Sequence, residues 1–178
     1  MSDTLITIIA IFLAATLMFL VPLMSVSEKN DKIAQNVWDT AVSEFVDTVS
    51  NAGSIKPIDY ETLEQKLAAT GNTFDITIEV QHLDENPGKK ATITSGDLIG
   101  ENVRYSTFTQ EILNYMYNPT TGDTTNYPLK KGDYIIVTVK NTNKTFAQSL
   151  RTFAFKVTGQ GTYELASSDS SMVVNSGR

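Results

Sequence analysis

The stretch TLITIIAIFLAATLMFLVPLMSVS (residues 4–27) contains no charged residue, and it decides how the rest of the chain must be organised. Leu, Ile, Ala, Met, Phe and Val fill most of its positions. An α-helix needs about 20 apolar residues to cross the hydrocarbon core of a bilayer, and this run is long enough to do so. We therefore expect a membrane-spanning helix at the start of the chain.

Two other interpretations of this run are open. A cleaved signal peptide has a basic n-region and an apolar core of about 7–15 residues, whereas this chain begins with the acidic Met1-Ser2-Asp3 and its core is longer. Ser25-Val26-Ser27 does supply a small-x-small pattern that a signal peptidase accepts. A buried helix of a soluble protein would be unusually long and almost free of polar residues. A retained anchor fits best.

Within the span, bulky residues provide apolar surface and alanines allow another helix to approach closely. Pro22 removes one backbone hydrogen bond, which predicts a kink or a loosened turn near the membrane interface. The residues that we expect to serve the anchor and assembly are Leu5, Ile9, Ala10, Phe12, Ala14, Ala15, Phe19 and Pro22.

The apolar run continues into an amphipathic segment that ends at Gly53. Apolar residues recur there at every fourth position from Ile33 to Val49, while polar residues occupy the other face. Gly53 is placed to form a left-handed C-cap. Nothing between Ser27 and Asp31 breaks a helix, so the pattern predicts one nearly continuous helix over residues 3–52, roughly 75 Å long. We expect four of its residues to pack on the domain: Val37, Trp38, Phe45 and Val49.

The sequence after the anchor predicts a small, mainly antiparallel α+β domain with short helices. Residues 1–30 form the membrane half of the long helix, and residues 31–178 form the domain. Predicted helices run from an Asp59 N-cap to Gly71 and over Thr107–Tyr117, the latter with Phe108, Ile112, Leu113 and Met116 on one face. Predicted strands are Phe74–Val80 and Tyr134–Lys140, with a hairpin through 84–94 and a final hairpin around Ser167–Ser171. Residues 145–157 fit either a helix or a strand.

Composition excludes several classes of function. With 20 acidic and 14 basic side chains the net charge is −6, so nucleic acid is not an expected partner. The chain has no Cys and a single His, His82, which we interpret as a strand-end or surface residue. No nucleotide-binding, hydrolase or zinc motif is present. We expect no enzymatic activity and no cofactor.

Two weaker patterns have simple structural explanations. Asp84-Glu-Asn-Pro-Gly88 is similar to the start of a calcium loop, but Ser95 stands where the liganding Glu belongs, so a turn is expected. Tyr105, Tyr115, Tyr117 and Tyr127 lie close together in the sequence with Phe108. These aromatic residues are interpreted as core and rim packing, or as a contact surface for neighbouring subunits or a ligand.

The charges that flank the span specify its orientation poorly. Glu28, Lys29, Asp31 and Lys32 follow the span, and Asp3 precedes it. The positive-inside rule alone favours a cytoplasmic domain. Because the domain has the Thr- and Asn-rich strand composition of exported proteins, we instead expect it outside the cytoplasm, held at the cell membrane by a single pass.

A hydrophobic half-helix that runs unbroken into an amphipathic half-helix and then a small sheet domain resembles the type IV pilin-like superfamily, most closely the TadE-like pseudopilins. The resemblance covers the whole chain in architecture. Typical prepilins have a Gly at the end of the leader and a Glu at the fifth mature position, whereas here no Gly precedes Gly53 and the span has no Glu.

The resemblance implies a structural subunit of a pilus or pilus-like secretion filament at the cell surface. Its partners would be the lipid bilayer before assembly and copies of itself afterwards. An assembly ATPase and a membrane platform protein would also be required. The alternative is a monomeric, membrane-anchored, extracytoplasmic binding module.

Overall fold

The computed structural model describes residues 2–83, 104–118, 122–145, 149 and 165–177. This part of the chain forms an α+β fold in which one very long helix packs on a small antiparallel sheet with short helices beside it. The elements are α1 (Ser2–Ala52), β1 (Ser54–Ile55), α2 (Pro57–Ala68), β2 (Phe74–Leu83), β3 (Arg104–Phe108), α3 (Thr109–Met116), β4 (Tyr127–Pro128), β5 (Tyr134–Asn141) and β6 (Ala166–Met172).

The long helix is confirmed as a single element. It spans 51 residues with Pro22 inside it, and it joins the apolar run to the amphipathic stripe without interruption. Gly53 ends it as expected, because its φ of 68° lies in the left-handed region and its N–H donates to the Val49 carbonyl at 2.9 Å.

Four strands form the main sheet, in the order β3-β2-β5-β6, and all neighbours are antiparallel. Both central strands were predicted, and β2 extends three residues further than its predicted end at Val80. Along β2, Ile76, Ile78 and Val80 are buried while their neighbours face solvent, so one face of the sheet carries the core. β1 and β4 form a separate two-stranded ribbon.

The second half of α1 covers that apolar face. Trp38, Phe45 and Val49 are buried, together with Val42 and Val46. The indole of Trp38 meets Phe74 edge-on at a centroid distance of 6.2 Å and donates to the Thr70 hydroxyl at 3.1 Å. The apolar stripe therefore has a partner within the same chain.

Val37 differs from the other three residues that were expected to pack on the domain. It is 36% exposed and is absent from the buried core. The reason is its position beside Trp38: successive residues on a helix are about 100° apart, so the two side chains face different directions. Trp38 points into the core, and Val37 borders an exposed groove with Ala69 and Thr70.

The start of α2 corrects a prediction. Lys56, rather than Asp59, is the N-cap residue, and Asp59 lies in the first turn of the helix. Pro57 explains the earlier start, since its fixed φ suits the first helical position and its missing N–H costs nothing there. Leu63 and Leu67 are buried as predicted, and Gly71 follows the helix with a φ of 75°.

Two further predictions fail at their boundaries. The segment from Thr107 was expected to be helical, but Arg104–Phe108 is a strand paired with β2, and helix α3 begins only at Thr109. Phe108 is therefore exposed rather than grouped with the buried Ile112 and Met116. The predicted hairpin around 167–171 is wrong, because β6 runs straight through it along β5.

Polar side chains explain why this Ser-rich segment is a strand. Ser168 bonds the Thr138 hydroxyl across the sheet at 2.9 Å, and Ser43 of α1 donates to the Asp169 carboxylate at 2.6 Å. Gln35 of α1 reaches the Ala166 carbonyl at 2.7 Å. These bonds tie β6 to the long helix. The predicted 84–94 hairpin, the calcium-like loop and most of residues 145–157 lie outside the described residues.

Residues 173–177 cross over the end of α1. The Val174 N–H donates to the Ser50 carbonyl at 3.1 Å, and the side-chain amide of Asn175 donates to the Asn51 carbonyl at 2.7 Å. The crossing is close, because a Cβ added at Gly53 would lie 2.3 Å from the Asn175 carbonyl oxygen. This segment thus satisfies carbonyl groups that the helix end leaves open.

Replacing Phe45 by Ala should lower the free energy of unfolding of the domain by about 3–5 kcal/mol, because a buried aromatic ring is lost between α1 and the sheet. Trp38 is the single Trp and is buried, so its fluorescence reports domain unfolding in the full chain in mild detergent. Asn36→Ala, at an exposed position of the same helix, should change stability by no more than about 0.5 kcal/mol. An unchanged melt for Phe45→Ala would show that this ring does not hold the domain together.

Candidate membrane and assembly surface

The first half of α1 projects from the fold as an apolar segment with no buried side chain among the described residues. In the described residues from Asp3 to Val26 no side chain is buried, and Phe12, for example, is 75% exposed. The first buried residue of the helix is Ala34. Helix α1 is the one helix in the described part of the chain that is long and apolar enough to cross a membrane.

All the residues that the sequence assigns to anchoring lie on this projecting half. The alanines and Pro22 are exposed along with the bulky residues; the set is Leu5, Ile9, Ala10, Phe12, Ala14, Ala15, Phe19 and Pro22. An apolar surface of this length, uncovered by its own fold, marks a contact site for lipid or protein.

Two hydroxyl groups within the apolar half, those of Thr7 and Thr16, are satisfied by the helix itself. Thr7 donates to the Asp3 carbonyl at 2.7 Å, and Thr16 donates to the Phe12 carbonyl at 2.8 Å. A polar group in hydrocarbon is costly unless it is bonded, so these bonds suit a lipid surrounding. Pro22 has no N–H to donate to the carbonyl four residues earlier, which makes its turn the weakest point of the helix.

The boundary between the two halves is marked by charge and by the first contact with the domain. Glu28, Lys29, Asp31 and Lys32 follow the apolar run within one and a half turns. The Asp31 carboxylate accepts a hydrogen bond from the Thr145 hydroxyl at 2.9 Å. Asp31, directly beyond the apolar segment, is therefore tied to the part of the chain that follows β5.

His82 is the penultimate residue of β2, as the strand-end interpretation predicted, but it is buried rather than at the surface. It lies within β2, and its Nδ1 donates to the buried Asp133 carboxylate at 2.8 Å. The same carboxylate accepts from the backbone N–H of Lys130 at 2.8 Å. Its Nε2 lies within hydrogen-bond distance of the Tyr127 hydroxyl, at 3.0 Å. These bonds join β2, β4 and the turn before β5.

The sequence does contain a signal for the burial of this histidine. The alternation of Phe74, Ile76, Ile78 and Val80 continues to His82 with the same period, which places it on the buried face of β2. Asp133 follows the turn at Gly132, whose φ is 94°, and no short-range pattern links the two residues. Their contact spans 51 positions of sequence.

The predicted tyrosine cluster is brought together in part. Tyr105 packs on the His82 ring at 5.0 Å between centroids, and Tyr115 meets Tyr127 edge-on at 5.4 Å. Burial raises the pKa of Tyr127. Tyr117 lies apart: its hydroxyl donates to Glu61 at 3.2 Å, and burial, followed by that hydrogen bond, raises its pKa to about 12.

Acidic and histidine side chains are dispersed in the described residues, and no group of three or more is placed to hold a metal ion there. Comparisons with protein-family models, with curated proteins and with solved structures find no match for this chain.

Placing Arg at Ile11 should cost roughly 2.5–3.5 kcal/mol of membrane insertion, because a charge then lies near the middle of the apolar run. The full chain should sediment with membranes, and Ile11→Arg should shift part of it to the soluble or aggregated fraction. Ile11→Leu keeps the apolar surface and should behave as the native protein does. Quantitative recovery of the native full chain as a soluble, unassembled species would contradict a membrane anchor.

Proposed function

We propose that this chain is a structural subunit of a pilus-like filament or secretion apparatus, anchored in the membrane before assembly. A single observation carries the proposal. The apolar half of α1 is uncovered along its whole length, yet it is continuous with a half that holds a folded domain. Such a surface requires a partner of the same chemistry and similar length.

Two surroundings meet that requirement. The hydrocarbon core of a bilayer covers about 20 apolar residues of a helix, which accounts for the subunit before assembly. In a polymer, the same surface is covered by the corresponding segments of other copies, and the domains form the outside. The hydroxyls of Thr7 and Thr16 can keep the same hydrogen bonds in both states, since they are bonded within the helix.

Small residues allow close helix packing in the polymer. Ala10, Ala14 and Ala15 present little side-chain volume, and all three are exposed. Without a hydrophobic difference between lipid and helix, packing at small residues is a main source of helix association. The bulkier Phe12 and Phe19 fill the space between helices.

Attachment of the domain to the helix supports a structural role. The core packing of Trp38 and Phe45 and the Ser43–Asp169 hydrogen bond fix α1 against the sheet. A domain held in this way is positioned by the helix that enters the filament core. Repetition of one helix contact would therefore repeat the position of the domain.

The proposal includes a location and partners. The domain lies outside the cytoplasm, and the N-terminal span holds the subunit in the cell membrane. Moving a 24-residue apolar segment out of a bilayer is unfavourable at about 0.8 kcal/mol per buried methylene, so extraction requires an external energy source. An assembly ATPase and a membrane platform protein, as in the pilin-like systems that the chain resembles, would supply it.

One observation favours a second candidate, a monomeric membrane-anchored binding module. Tyr105 and Tyr115 are about half exposed beside His82 and Tyr127. Exposed aromatic rings of this kind are common at recognition surfaces. In this alternative, the apolar half of α1 is covered by lipid at all times and no polymer forms.

Replacing Ala14 by Trp should block filament formation and leave membrane insertion intact, because the added ring prevents close helix approach but is compatible with lipid. Electron microscopy of material released from cells provides the measurement, and membrane fractionation provides the second readout. Ala14→Ser retains the small volume and should assemble normally. Normal filaments from Ala14→Trp, or a native protein found only as a membrane-bound monomer, would favour the binding module.

Filaments of the native protein should persist at high salt and dissociate in detergent. Their core would contain the uncharged residues 4–27. Salt weakens interactions between charges, so it should not weaken this core. Detergent offers an alternative apolar surrounding for the same surface. Sedimentation after each treatment measures the polymer, and dissociation by salt alone would indicate that domain charges hold the assembly together.

A further inference from the structure

Two apolar residues of α1 stay exposed beyond the membrane span. Ile33 is 60% exposed and Val37 is 36% exposed, whereas the large apolar residues further along the helix are buried in the domain. Together with Asn30, Ala69 and Thr70 they line a groove of about 340 Å³ between α1 and the end of α2. This groove is open along the side of the helix.

This groove lies beyond the uncharged run, and we expect lipid not to reach it. Ile33 lies six residues after Ser27, roughly 9 Å further along the helix axis. Lys29 and Lys32 lie between Ser27 and Ile33. Lysine ammonium groups stay in the polar interface rather than the hydrocarbon. The apolar groove therefore needs a cover other than the bilayer.

The spacing of the exposed residues identifies that cover. From Val26 the positions Asn30, Ile33 and Val37 follow at steps of four, three and four, which is the a/d spacing of a heptad repeat. The same steps extend back through the span; the full seam is Leu5, Ile9, Phe12, Thr16, Phe19, Leu23, Val26, Asn30, Ile33 and Val37, and each of these residues is exposed. A period of 3.5 residues is typical of helices that supercoil around one another.

Within the span almost every position is apolar, so any spacing fits there. The repeat can be recognised only from the residues that follow the span. Between Glu28 and Thr40 the exposed apolar side chains are confined to Ile33 and Val37, and both fall on the seam. Ala34 and Trp38, which the domain covers, lie on the adjacent face. The seam and the domain contact are thus different surfaces of the same helix.

We propose that a second copy of this chain packs its α1 against this seam, parallel and in register, while both copies are anchored in the membrane. The parallel direction rests on the anchor of the proposed function, since two helices inserted in the same sense point the same way. The contact continues from the bilayer into the groove at Ile33 and Val37. It therefore extends over both the apolar and the amphipathic half of the helix.

Asn30 sets the register. It is the first residue of its heptad, the a position, and its seam neighbours Val26 and Ile33 are both apolar. A single Asn at such a position fixes register and oligomeric state, because its amide is satisfied only opposite a second Asn. Thr16 has no such role, since its hydroxyl is bonded to the Phe12 carbonyl of its own helix.

Disulfide formation tests the pair in membranes of cells that express the full chain. The native sequence has no Cys, so each variant carries one thiol per copy. Ile33→Cys should yield about tenfold more disulfide-linked dimer than Lys32→Cys, because only the seam position brings the two Cα atoms within disulfide reach. Lys32 is exposed and is rotated about 100° from Ile33, which makes it a matched control.

Register is tested by co-expressing Val26→Cys with Ile33→Cys on chains of different tag. In-register packing predicts 33–33 and 26–26 disulfides, and a majority of 26–33 disulfides would overturn the proposal. Asn30→Leu should admit 26–33 disulfides that the native Asn suppresses, and Asn36→Leu, off the seam, should not. An Asn30→Leu chain that keeps the native disulfide pattern would overturn the role of Asn30.

The result is separable from the filament hypothesis. Equal disulfide yields for Ile33→Cys and Lys32→Cys, with filaments still formed, would overturn the paired helices and leave the proposed function standing. Strong 33–33 disulfides in a protein that never forms filaments would support the pair and contradict the filament.

Discussion

The structure depends on the continuity of one helix. Backbone hydrogen bonds run from Ser2 to Ala52, so the apolar half and the amphipathic half form a single rod roughly 75 Å long. Because the domain is small, the buried residues of this helix are confined to the segment that begins at Ala34. The apolar half before it is left for lipid or for another copy of the chain.

Much of the fold could be predicted because the relevant signals are local. The uncharged run, the stripe around Trp38 and the positive φ of Gly53 all belong to the long helix, and β2 and β5 alternate with a clear period of two. The failures occur where local preference is weak. Residues 166–172 are mostly Ser, which suggests a turn, but their conformation is set by β5 on one side and by Ser43 on the other.

The candidate membrane surface and the His82 contacts differ in the same way, since the first depends on local signals and the second on residues distant in sequence. Every residue assigned to the anchor lies on the exposed half of α1. These residues could be predicted because the length of the run and its lack of charge can be read from the sequence alone. The partner of His82 could not be predicted, since Asp133 is distant in sequence and reaches the ring only when β2 and β5 pair. Periodicity alone predicts that Val37 packs on the domain. The domain covers too narrow a face of α1 to bury it.

The bonds that connect α1 with β6 also constrain the order in which the protein can be made. Ser43 and its partner Asp169 are separated by 126 positions, and residues 173–177 are needed to close over Gly53. Contacts so distant in sequence form late, whereas a helix forms from neighbouring residues as soon as they are available. On the ribosome, the apolar run therefore emerges long before its domain is able to close. For the membrane-anchored subunit that we propose, insertion would precede folding, and a translocation machinery would receive an open chain rather than a finished domain.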